Sequence, residues 1–163
     1  MDSELSAYEV LEVAEKIERN GAKFYRRAAT VCNDPELSTF FVELAQWEAR
    51  HVEVFRQMKE QLAEQDWQKG HIVPNRINSA DAQLMAGLAV FGIRPDPADE
   101  LTGRESKKDI LRLALEKEKD SIVYYTGLKD FVPREADKKI ISDVIAEEMK
   151  HVRILTQSLQ QQV

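Results

Sequence analysis

Displaced along itself by 100 positions, this sequence superposes without a gap, and the coincidences are polar as well as apolar. Leu11, Ala14, Glu18 and Tyr25 fall on Leu111, Ala114, Glu118 and Tyr125, while Glu48, His51, Val52, Gln57 and Gln61 fall on Glu148, His151, Val152, Gln157 and Gln161. Elsewhere the apolar kind is kept, as in Phe40 with Ile140 and Leu44 with Val144. Such a repeat means two copies of one supersecondary unit, each with an apolar face that the other can cover.

The unit is a helical hairpin. Leu11, Ala14, Ile17, Ala22, Tyr25 and Ala29 recur at helical spacing, which predicts a first helix from Ser6, its N-cap, to about Val31. Asp34 caps a second, with Pro35 at its first position where the missing N–H costs nothing, and the apolar period runs to about Gln65. Ser106, with Asp109 three residues on, reads as a capping box that opens a third helix, and Pro133 is expected to open a fourth that ends near Gln160. The expected fold class is therefore all-α: one 163-residue domain, a four-helix bundle made of hairpins 6–65 and 106–161. Residues 66–105 form a crossover, with one short helix near Ala80 to Phe91. A crossover so much longer than an antiparallel turn predicts that the second and third helices run parallel, rather than all neighbours antiparallel.

Composition narrows the rest. Only six Gly and five Pro suit a helical chain, and a formal charge of −6 without a basic stripe excludes electrostatic nucleic-acid binding. The acidic start, Met1-Asp2-Ser3-Glu4, is unlike a secretory signal, and no apolar run nears the ~20 residues that span a bilayer, so the expected setting is cytoplasmic, away from membranes. One cysteine, Cys32, can form neither an internal disulfide nor a thiolate cage, and reads as an unpartnered helix-end residue. Any metal must be held by carboxylates and imidazoles.

Those residues sit where a metal would need them. In Glu48-Ala-Arg-His51 and Glu148-Met-Lys-His151 the i, i+3 spacing turns the chain by about 300°, so both side chains share one helix face. Glu18 and Glu118 interrupt the apolar stripes of the first helix of each hairpin, and each lies 30 residues before its partner glutamate. With turns near residues 33 and 133, each pair comes to one level, about 22 Å from the turn at a rise of ~1.5 Å per residue. Four carboxylates in one core need counter-charge. Two divalent cations supply it, and His51 and His151 give each ion one nitrogen. Oxygen-rich coordination with one imidazole per ion suits iron, or manganese or a mixed pair, better than structural zinc. A single Glu-x-x-His would read as a solvated surface pair; two copies with matched partners do not.

This constellation, Glu18, Glu48-x-x-His51, Glu118 and Glu148-x-x-His151, resembles the ferritin-like di-iron carboxylate proteins, of which it is the known mark. Glu18 followed by Phe24-Tyr25 and then Glu48-x-x-His51 is most similar to rubrerythrin-like proteins. The resemblance implies two bound irons, with Glu48 and Glu148 helping to bridge them and Glu18 and Glu118 terminal. It implies an oxidoreductase that reduces hydrogen peroxide or oxygen, working as a homodimer. Rubrerythrins also carry a four-cysteine rubredoxin domain, for which this chain has neither length nor cysteines; the expected electron donor is a separate rubredoxin-like protein. They carry a further carboxylate one turn from the third-helix ligand as well, where this chain has Leu115 and Ser121. The alternative function is ferritin-like: iron oxidation, storage or handling.

Around the six ligands, Tyr25 and Tyr125 lie seven residues, about two turns, beyond Glu18 and Glu118, placed to hydrogen-bond a ligand carboxylate across the bundle. Of the adjacent acids Glu147 and Glu148, Glu147 is read as solvent-facing, with orientation of a histidine as the alternative. Trp47 and Phe55 are read as core, and His71 as a solvated loop residue.

Overall fold

The computed structural model describes residues 7–68 and 96–161, and within them the chain forms four long helices and one short 3₁₀ turn. We label the helices α1 (Ala7–Val31), α2 (Pro35–Gln68), α3 (Lys107–Leu128) and α4 (Glu135–Gln160); the 3₁₀ turn is Pro97–Glu100. The fold is an all-α four-helix bundle. No described helix is long and apolar enough to cross a membrane. Ser6, His71 and the crossover helix expected at 80–91 lie outside the described residues.

Two of the helix starts follow the sequence signals. The Asp34 carboxylate accepts the Leu37 amide at 2.9 Å, which secures an otherwise unpaired donor in the first turn of α2. At α3 the Ser106 hydroxyl accepts from the Asp109 amide while the Asp109 carboxylate accepts from the Ser106 amide, a complete capping box. The start of α4 departs from expectation. Pro133 does not open it; the helix begins at Glu135, with Arg134 extended (φ −96°, ψ 135°) as an N-cap whose side chain caps no amide. The Arg134 guanidinium instead grips Asp137 through Nε at 2.6 Å and Nη2 at 2.5 Å, in the first turn where an acid also suits the helix dipole. At the other end, α2 continues three residues past its expected stop, to Gln68.

Contacts between named residues give the topology. Tyr124 donates to the Val10 carbonyl and Tyr125 to Glu18, while Tyr25 donates to Glu118, so α1 and α3 lie side by side and antiparallel. His51 meets Glu147 and Gln61 meets Arg134, so α2 and α4 are antiparallel too. Each hairpin is antiparallel, and α2 and α3 therefore run the same way. That parallel pair is diagonal, and here the expectation is corrected: the principal packed pairs are all antiparallel, since a long connection fixes the direction of the third helix and not which helix it packs against. Asp96 begins the return beside the C-terminal end of α1, where Arg27 donates to the Leu101 carbonyl at 3.0 Å and Lys107 pairs with Asp34 at 2.7 Å.

One apolar core runs through the bundle, from Val10, Leu11 and Ile17 of α1 to Ile141, Val144 and Leu155 of α4. Its largest fully buried side chains are aromatic, and they gather on the two repeat tyrosines: Tyr25 stacks on Phe41 with centroids 6.1 Å apart, and Phe55 packs on Tyr125 at 5.1 Å. These rings wall off the middle of the bundle, where the acidic residues lie.

A candidate metal centre in the bundle core

All six residues singled out by the repeat converge there. Glu18, Glu48, His51, Glu118, Glu148 and His151 are each no more than 6% exposed, so none can rely on water for its charge. They form two overlapping groups, Glu18–Glu48–His51 and Glu48–Glu118–Glu148–His151, whose donor atoms within each group lie within 4.8 Å of one another. Glu48 belongs to both. Glu148 also faces both imidazoles, with Oε1 2.8 Å from Nδ1 of His51 and Oε2 3.0 Å from Nδ1 of His151. Glu18 and Glu118 sit farther out, 3.4 Å and 3.6 Å from the Nδ1 of His51 and His151. The two glutamates of the second hairpin helices thus stand between the histidines, and those of the first hairpin helices stand outside.

The backbone makes room for this. Gly21 lies within α1, where glycine is costly, and a Cβ there would come within 2.6 Å of Glu48 Oε2. Sequence reasoning missed Gly21. The available signal was a helix-interior glycine three residues after a stripe glutamate, aligned with the small Ser121 in the second copy.

The outer oxygens are held by the tyrosines. Tyr25 donates to Glu118 Oε1 at 2.5 Å and Tyr125 donates to Glu18 Oε1, each reaching from one hairpin to the other. Burial, with the neighbouring carboxylates behind it, pushes both phenols well above their ordinary range, so they remain donors. Glu147 departs from expectation: its Oε2 lies 3.0 Å from Nε2 of His51 instead of pointing to solvent alone, because α4 packs against α2 at this level. Trp47, read as core, is half-buried and packs edge-to-face with the imidazole of His151, with centroids 6.0 Å apart.

Without another source of positive charge, protons do the balancing. Burial and the crowding of Glu18 and Glu148 raise Glu48 well above the usual carboxylate range, and burial and Glu148 do the same to Glu118. Glu148 moves the other way: burial opposes its charge, but the Glu118 carboxyl and the His151 and His51 imidazoles beside it outweigh burial. Burial alone would lower the imidazoles, yet Glu18 and Glu148 push His51 up to about 12, and Glu118 and Glu148 push His151 up to about 9.

Proton sharing leaves a remainder. Oε2 of Glu18, Nδ1 of His51 and Oε1 of Glu148 are buried with no hydrogen-bond partner, and the last two stand 2.8 Å apart without the alignment of a hydrogen bond. These three orphaned atoms belong to a cluster of four carboxylates and two imidazoles, the donor set that oxygen-preferring transition-metal ions take. The residues fit a pair of divalent cations.

A cleft of about 260 Å³ between α2 and α4 reaches this centre, lined by Trp47, Arg50, His51, Val54, Ile140, Asp143, Val144 and Glu147.

No family model matches the sequence, and no curated protein does. Solved structures do. The crystal structure of a candidate ferritin-like diiron-carboxylate protein from Thermotoga maritima is 29% identical, covers 98% of this chain and 97% of its own, and superposes with a TM-score of 0.74. A hypothetical protein from Pyrococcus furiosus, 19% identical, covers 96% of this chain and 89% of its own at a TM-score of 0.65, and shares the fold.

Proposed function

We propose that this chain, which belongs to the ferritin-like di-iron carboxylate superfamily, is an oxidoreductase that reduces hydrogen peroxide or oxygen with electrons from a separate donor protein. The observation that carries the reading is the convergence of two Glu-x-x-His motifs and two lone glutamates in a core with orphaned donor atoms. Glu48 and Glu148 between the histidines, Glu18 and Glu118 outside them, and His51 and His151 through Nδ1 would together hold two irons. When bound, such a pair of ions supplies the two electrons that cleavage of an O–O bond requires.

The chain's own residues do the rest. Tyr25 and Tyr125 fix the outer oxygens of Glu118 and Glu18, which leaves the inner oxygens free to ligate. The aromatic wall of Phe41 and Phe55 keeps bulk water from the centre, while the cleft beside His51 and Glu147 admits an oxidant as small as peroxide. Reduction of one peroxide to two waters consumes two electrons and two protons. The electrons would come from a one-electron carrier such as a rubredoxin-like protein.

The test is peroxide and oxygen consumption by protein purified without oxygen, with a reduced one-electron carrier as donor. Consumption that stops when the metal is removed supports the reading. A metal-loaded protein that consumes neither oxidant overturns it, and an assembly that gathers hundreds of irons per particle points to iron storage instead.

A further inference from the structure

The repeat makes the two halves of the centre equivalent in their ligands, but not in what stands behind the histidines. Position 47 of the first copy is tryptophan; position 147 of the second is glutamate. Because α2 and α4 are antiparallel, each of these side chains meets the histidine of the other copy. Glu147 places Oε2 3.0 Å from Nε2 of His51. Trp47 packs on His151, with planes at 62°. Nε2 of His151 has no hydrogen-bond partner among the described residues, and the indole has its own neighbour, the Arg50 guanidinium 3.5 Å from its centroid.

We infer that the two metal positions are unequal, the one on His51 holding its ion more tightly than the one on His151, and that Glu147 is the positioning residue responsible. The inference rests on the reading of the cluster as a two-metal centre. A carboxylate on the outer nitrogen keeps the proton on Nε2, presents the Nδ1 lone pair to the ion, fixes the ring plane and strengthens the imidazole as a donor. An indole in ring contact supplies packing and none of these. The compact donor group on His151 holds one carboxylate more, Glu148, but that carboxylate also stands 2.8 Å from Nδ1 of His51 and Glu48 belongs to both groups, so carboxylate supply does not reverse the order. The centre therefore fills in order, His51 side first.

The test is anaerobic titration of metal-depleted protein with cobalt(II), followed by calorimetry and by the visible absorption of the bound ion, in the wild type and in Glu147→Gln. Two resolved steps are expected in the wild type. The substitution should weaken the tighter step by roughly 10–100-fold and leave the weaker step in place, so that the steps merge. Imidazole ¹⁵N NMR of the loaded wild type should show the Nε2–H tautomer for His51; Glu147 is one-third exposed, so its amide variant keeps the fold. Equal steps in the wild type, or a Glu147→Gln variant whose steps are unchanged or weakened alike, overturn the inference while leaving the two-metal reading intact. A wild type that binds no cobalt overturns that reading and the inference with it.

Discussion

Substituting Gly21 by alanine adds one methyl group to α1 and directs it at the carboxylate of Glu48. The built Cβ lies 2.6 Å from Oε2, 2.9 Å from Cδ and 3.2 Å from Cγ, so something must move. The helix backbone is held by its own ladder, whereas the Glu48 side chain can rotate. If it stayed, overpacking would cost about 1–3 kcal/mol; rotating away avoids most of that, and alanine recovers up to ~1 kcal/mol of helix propensity. Metal-free stability should therefore change by less than about 1 kcal/mol. Metal binding should not survive so well, because Glu48 serves both donor groups. Losing a supporting hydrogen bond alone costs about 10–100-fold in affinity, and displacing a ligand costs at least as much. A 100-fold loss at one position removes about 2.7 kcal/mol of ligand-linked stability, or roughly 5–10 °C of melting temperature for a chain of this size. The assay is thermal melting with and without iron(II) or manganese(II), beside Gly127→Ala as the control. No atom lies within 4 Å of a Cβ built at Gly127, so that substitution should raise stability slightly and leave metal binding alone. A Gly21→Ala protein that binds metal with wild-type affinity and stoichiometry would refute the reasoning.

Two further predictions concern the same core. Tyr25→Phe and Tyr125→Phe each strip a buried carboxylate oxygen of its donor, so each should lower the stability of metal-loaded protein by about 2 kcal/mol in denaturant melts, and a loss below about 0.5 kcal/mol in both would count against the bonds. Metal-free protein should melt lower at pH 9 than at pH 6. His51 and His151 are pushed above their unfolded value of 6.5, to about 12 and about 9, so their contribution is complete below 6.5 and is lost as pH rises through the folded values. Glu48 and Glu118, also raised, act in the same direction, while the lowered Glu148 acts oppositely only as pH falls below its ordinary range. Metal competes with these protons, so the stabilisation that metal adds should widen from pH 6 to pH 9; a gap that narrows would contradict the proton sharing.

What the sequence disclosed follows from the kind of information each feature carries. Ligand spacing is local: i, i+3 on a helix fixes a shared face without any knowledge of the neighbours, and the repeat supplied the second copy. The starts of α2 and α3 were legible for the same reason, since Asp34 and Ser106 bond to amides three residues away. Features that depend on another helix were not. For Glu147 the sequence left two readings, solvated or orienting a histidine, and only α2 bringing His51 to it decides between them, while Gly21 gains its meaning only from the Glu48 carboxylate opposite. Pro133 looked like a helix start, but the Arg134–Asp137 pair set the first turn of α4 two residues later. The parallel run of α2 and α3 could be read from the crossover length; that the pair is diagonal could not, because length fixes direction and not the corner to which the chain returns.

The central claim is that six side chains make one buried two-metal centre, and metal content per chain tests it most directly. Protein purified without oxygen and loaded with iron(II) should carry two ions per chain, and Glu48→Ala or Glu148→Ala, each removing a carboxylate that faces both positions, should fall well below two by elemental analysis while the helices remain intact by circular dichroism. Full occupancy in either variant, or a wild type that retains no metal after desalting, would contradict it.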